Sequence, residues 1–116
     1  MLDLQSFVEK NSDIFVQVNK QVPLEHIGSL TAQANAPIIF NDIDGFAGHR
    51  VVDQLFVNRE AQSRILNCEP REVVSRLAEV ISQGPKPLKF VENGRCQEQQ
   101  FVGDEVDLSM LPIVTH

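Results

Sequence analysis

Ala36-Pro37-Ile38-Ile39-Phe40-Asn41-Asp42-Ile43-Asp44-Gly45-Phe46-Ala47-Gly48-His49-Arg50-Val51-Val52-Asp53-Gln54-Leu55-Phe56 is the stretch that decides the fold. Pro37 to Phe40 is a continuous apolar run of strand length, and His49 to Phe56 carries a second run rich in β-branched and aromatic residues. Between them lies a turn-forming cluster, Asn41 to Gly45. Two strands around a loop are therefore predicted, and the helical patterns on either side make the chain mixed rather than all-β.

Upstream, Asp3 is placed to cap a helix whose apolar positions are Leu4, Phe7 and Val8, with Leu2 packing on Phe7 as a hydrophobic staple and an end near Asn11. Ile14 to Val18 alternates as a half-buried strand does. Val22-Pro23 opens a second helix with Ile27, Leu30, Thr31 and Ala34 inward, weakened by Gly28.

Downstream, Asn58 is a candidate cap for a helix through Leu66, and Pro70 begins another reaching residue 83. In that last helix Val73, Val74, Leu77, Val80 and Ile81 form one apolar stripe, Glu72 and Arg76 sit four apart outside it, and Gly84-Pro85 supplies a stop. Leu88 to Val91 and Arg95 to Val102 flank Asn93-Gly94, the pair that most readily takes the positive φ angles of a type I′ turn, so a β-hairpin is predicted. Asp107 caps a single turn at Leu108 to Leu111, which Pro112 ends. The expected fold class is α/β in the mixed α+β sense, a small mixed sheet with packed helices and a C-terminal β-hairpin.

Chain size and composition support one core. At 116 residues, with 42% apolar and 22% charged residues, the chain has ordinary globular usage. Its formal net charge of −6, with basic residues scattered, argues against a nucleic-acid partner, since affinity for phosphate backbones needs clustered Lys and Arg. Apolar runs stop far short of the roughly twenty residues that span a bilayer. No basic, long apolar leader follows Met1, and the cytoplasm is the expected compartment. Cys68 and Cys96 are read as thiols there.

Chemistry-bearing clusters are few. Asp104, Glu105 and Asp107 place three carboxylates in four residues, but a hard cation needs about six oxygens from several directions, and acids ahead of a helical turn are already favoured by its dipole. Capping is the preferred reading. Asp42, Asp44 and Gly45 fall out of register for a calcium loop, leaving a solvated turn. His26, His49 and His116 are far apart, with no local zinc spacing. A catalytic pair between a distant histidine and Cys68 or Cys96 stays open, although Glu69 beside Cys68 disfavours a thiolate and Cys96 sits where a small hydrophobe would. Phosphate-binding glycine motifs and the common hydrolase signatures are absent.

Against that background, Cys96-Gln97-Glu98 followed by Gly103-Asp104-Glu105-Val106-Asp107-Leu108-Ser109-Met110-Leu111-Pro112-Ile113 closely resembles a segment of the UbiD-type decarboxylases. In that family a Cys-Gln-Glu strand leads to a Gly-acid-acid-Val-Asp-Leu stretch and Leu-Pro-Ile just before the flavin-binding domain, and His116 falls at that junction. Asp3 to Phe7 is similar to the family's opening helix, and Val22 to Ile27 to its Val-x-Pro-x-Leu-Glu-Ile region. Pro37 to Asn41 with Asp44-Gly45-Phe46 resembles two further elements, with Asp44 where the family has lysine. Gln54 to Arg59 is similar to Asn-Leu-Phe-Gly-Thr-Arg and departs at Gln54, Val57 and Asn58.

The resemblance implies a reversible, non-oxidative carboxy-lyase acting on an aromatic or α,β-unsaturated acid, with prenylated FMN, a manganese-type divalent ion and potassium in the parent enzyme. The family's catalytic Arg and Glu residues, and its metal and flavin-phosphate ligands, come from later segments. No catalytic, cofactor-binding or metal residue is therefore assigned within this chain, and no cofactor is expected to bind it alone. Residues 1–116 would be one N-terminal scaffold domain, its partner the flavin-binding domain of the same polypeptide, within a homo-oligomer. The alternative is a stand-alone, non-catalytic accessory subunit or binding module of the same fold. The apolar, extended ending Leu111 to His116 favours the first.

Overall fold

The computed structural model describes residues 3–114. Helix α1 (Leu4–Lys10) begins where Asp3 accepts the Ser6 N–H at 2.7 Å and ends at Asn11, whose backbone and side-chain N–H groups both donate to the Phe7 carbonyl. The Leu2 staple lies outside the described residues. A 3-10 turn, Ser12–Ile14, then takes the first part of the predicted strand, and β1 is confined to Val16–Val18.

Strand β2 (Ile38–Phe40) is the centre of the molecule. It pairs parallel with β1, Val16 opposite Ile38, and antiparallel with β3 (Val51–Asp53), Ile38 opposite Asp53, giving a mixed sheet in the order β1-β2-β3. All three of its residues are buried, because side chains alternate across a sheet covered on both faces. Ile38 and Phe40 point into one cluster with Val22, Ile27 and Ile43, and Ile39 points into another with Phe7 and Phe15. The two phenylalanines meet edge to face at 6.2 Å.

Each cluster has its helix. α1 covers the Ile39 side through Phe7 and Val8, and α2 (Ile27–Thr31), entered through a 3-10 turn at Leu24–His26, covers the Phe40 side through Ile27. From the predicted α2 stripe, Ile27 and Thr31 are buried, Ala34 packs at the margin and Leu30 faces solvent. The Asn41 side-chain amide donates to Gln17 and Asn19, clasping the ends of β1 and β2.

α3 (Arg59–Leu66) starts at the predicted cap: the Asn58 side-chain Oδ1 accepts the Ala61 N–H at 2.9 Å, while its side-chain amide N–H donates to the Asn35 backbone carbonyl. Asn67 closes it at φ +52° in the left-handed region. Pro70 opens a 3-10 turn that runs into α4 (Val73–Gln83), stopped by Gly84 at φ +69°. The Glu72–Arg76 pair is not made: Glu72 turns back to accept the Glu69 N–H, and Arg76 pairs with Glu79.

The C-terminal β-hairpin is a correction. Residues 84–102 contain no strand, Gly94 has φ −95° rather than a positive value, and Arg95–Gln97 forms a 3-10 turn whose Gln97 side chain accepts the Gly94 N–H at 3.1 Å. A two-stranded hairpin is marginal unless one face packs on something, and here Leu88, Phe90, Val91 and Val102 all stand in solvent. Residues 84–113 instead form an extended arm with 3-10 turns at Gly103–Glu105 and Leu108–Met110. Val114, just beyond it, returns to the Phe40 cluster. No described helix is long and apolar enough to cross a membrane.

Candidate functional site

Groups able to do chemistry are dispersed. Cys68 is half-buried at the end of α3, Cys96 is exposed on the arm rather than packed in a hairpin, and both are free thiols. His49 stacks edge-on to Phe46 at 6.4 Å, and His26 ends the turn before α2. His116 lies outside the described residues. Among the described residues no three His, Cys, Asp or Glu side chains gather as a metal site would require.

The carboxylates of the arm act as the sequence reading prefers. Asp107 accepts the Ser109 hydroxyl at 2.6 Å and the Ser109 N–H at 2.9 Å, and these bonds, the hydroxyl first, hold its pKa below the ordinary carboxylate value. Asp104 and Glu105 stand exposed in the preceding turn. Asp42 and Asp44 belong to a turn whose Ile43 is buried and bridges Val22, with Gly45 at φ +79°.

The cleft beside Arg64 does not fit a flavin phosphate. That cleft, about 330 Å³, is bounded by Lys10, Asn11, Ser63, Arg64, Asn67 and Cys68, with Ile65 as its apolar wall. Arg64 is already held by Asp13 and Glu60, each at 3.0 Å, and these carboxylates, the Glu60 hydrogen bond foremost, raise its pKa further. The guanidinium that would meet a phosphate is thus engaged within the chain.

What the molecule does present is apolar surface. Its accessible area is 9208 Å², where a compact monomer of this mass exposes about 6,300 Å². Its radius of gyration is 17.2 Å, against about 13 Å for a compact domain of this length. Exposed apolar side chains concentrate on two segments. On α4 only Val73 of the apolar stripe is buried, while Val74, Leu77, Val80 and Ile81 face outward. The arm exposes Leu88, Phe90, Val91, Phe101, Val102, Val106, Leu108, Met110, Leu111 and Ile113.

The arm's far half also has one sign of charge. From Cys96 to Ile113 the charged residues are Glu98, Asp104, Glu105 and Asp107, with no Lys or Arg. Where it passes the 46–49 loop, it forms a cleft of about 320 Å³ with His49, lined by Phe101, Val106, Leu108 and Met110. Sequence reading found the α4 stripe and placed Leu88 to Val91 and Arg95 to Val102 in a hairpin. The overlooked signal is that the chain has more apolar stripes than one three-stranded sheet can cover.

No protein-family model matches the chain. It is similar to the anhydromevalonate phosphate decarboxylase of Methanosarcina mazei, with 26% identity over 108 residues. That alignment takes in 92% of this chain and 24% of the relative, so the chain spans about a quarter of the curated protein it matches. Similarity to part of a decarboxylase, on a mixed α+β fold, is what the comparisons and the structure together establish.

Proposed function

We propose that this chain is the N-terminal scaffold domain of a UbiD-type decarboxylase, a cytoplasmic enzyme that removes carbon dioxide reversibly from an aromatic or α,β-unsaturated acid. Prenylated FMN, a manganese-type ion and potassium would be held by later parts of the same polypeptide. The domain packs against them and shapes the cleft, as closing elements do in many enzymes.

The observation that carries this reading is a coincidence of scale. The similarity to a decarboxylase covers nearly all of this chain and a quarter of that enzyme, and this chain exposes nearly half as much surface again as a compact monomer of its mass. Both suit a unit that is finished by contact with a larger body. The motif from Cys96 to Ile113 agrees with the same family.

The test is turnover of the full-length natural protein, reconstituted with prenylated FMN, Mn²⁺ and K⁺ and supplied with aromatic and unsaturated acids. Carbon dioxide release is expected, with loss of turnover and thermal stability when residues 1–116 are deleted. Full activity after that deletion would refute the scaffold role.

A further inference from the structure

The acidic half of the arm combines two features that together restrict what can cover it. Phe101, Val102, Leu108, Met110 and Ile113 are open to solvent, each at least 45% exposed. Glu98, Asp104, Glu105 and Asp107 are interleaved with them, and no cation falls between residues 96 and 113. Asp107 is engaged with Ser109, but the other three carboxylates have no ion-pair partner among the described residues.

We infer that residues 96–113 are the docking strip for a protein surface with an apolar centre and a Lys/Arg rim, carried by the cofactor-holding part of the same decarboxylase. The partner's identity rests on the reading above; its chemistry rests on the arm.

Charge decides between occupants. A second copy brings the same acidic strip and the same net −6, so a symmetric arm-on-arm contact sets like charges together, which opposes association. Anionic bilayers and nucleic acids are repelled for the same reason. A basic-rimmed protein surface is attracted, and it buries the apolar residues that the isolated chain leaves wet.

Amide hydrogen exchange at residues 98–111 tests this, read in the 116-residue chain alone and in the full-length protein. Exchange in the full-length protein is expected to be at least about a hundredfold slower. Raising ionic strength from about 0.05 M to about 0.5 M should weaken that protection. The E98K/D104K/E105K variant, which spares the Asp107 cap, should abolish it while leaving the circular dichroism of the 116-residue chain unchanged; Phe101→Asp should also abolish it through the apolar centre.

Equally fast exchange in both proteins would overturn the inference, even if carbon dioxide is released and the decarboxylase reading stands. Protection lost on charge reversal, in a protein without decarboxylase activity, would keep the basic-rimmed partner and overturn its assignment to a decarboxylase. A salt-insensitive dimer of the 116-residue chain with a protected arm would make a second copy the occupant and refute the proposal.

Discussion

The guanidinium of Arg95 lies 3.4 Å from the carboxylate of Asp3, 92 positions earlier in the chain, so the arm is tied to the residue that caps the first helix. The two sides of this contact differ in consequence. Arg95 is 87% exposed, and an exposed ion pair gains little after solvent screening. Arg95→Ala should leave the thermal midpoint unresolved from wild type. Asp3→Ala should lower it, because the Ser6 N–H loses its acceptor. Thermal melts followed by circular dichroism compare the two, and an equal fall in both would mean that the ion pair, not the cap, is what matters.

Phe40 is expected to be the least replaceable residue. It is fully buried in the central strand, in a cluster that draws on residues from Val18 to Val114. Phe40→Ala should cost about 3–5 kcal/mol. That is a large share of the stability of a small domain, so urea unfolding should show either a much lower midpoint or no folded baseline.

Helix α4 should give opposite results on its two faces. Val73 is 1% exposed, and Val73→Ala should destabilise by roughly 1.5–3 kcal/mol through lost transfer energy and a residual cavity. Ile81 is 76% exposed, and Ile81→Lys should stay within about 0.5 kcal/mol of wild type in the 116-residue chain. In the longer decarboxylase proposed above, Ile81→Lys should become destabilising, since that reading has a further domain cover the stripe. Denaturant titration of both variants in both contexts separates the faces.

Acid should act on the caps. The Asp3 pKa is lowered by the Ser6 N–H first and then by the Ser6 side chain, and that of Asp107 by the Ser109 hydroxyl and N–H. A carboxylate whose folded pKa is depressed adds stability above its unfolded value, about 3.9 for Asp, and that stability disappears as pH falls through the lowered folded value. The thermal midpoint should therefore decline below about pH 4. In the Asp3→Ala/Asp107→Ala variant the decline should be shallower; an identical pH profile would remove the caps from the account.

Local signals were legible wherever neighbours in sequence satisfy each other. Asp3, Asn58 and Asp107 cap the turns they were expected to cap, Pro70 and Gly84 bound the last helix, and Ile38 to Phe40 is a strand. Asn93-Gly94 shows the limit. The turn chemistry is present, but φ at Gly94 is negative, because Leu88, Phe90 and Val102 have no surface to pack on and the hairpin gains too little to form. Glu72 shows it again: its carboxylate had two acceptable partners within four residues, and the Glu69 N–H at the helix entrance took it in place of Arg76.

By itself the sequence determined the mixed class, the caps, the stops and the central apolar strand, since these depend on interactions within a few residues of each other. Only the tertiary structure decided which apolar stripes lie inside. Ile39 and Phe40 are enclosed by residues from distant parts of the chain, whereas Val80, Ile81 and Phe101 share their hydrophobicity and remain in water. The physical reason is that burial requires an opposing surface, and a three-stranded sheet with α2 on one face and α1 and α3 on the other is too small to supply one to every stripe the sequence carries.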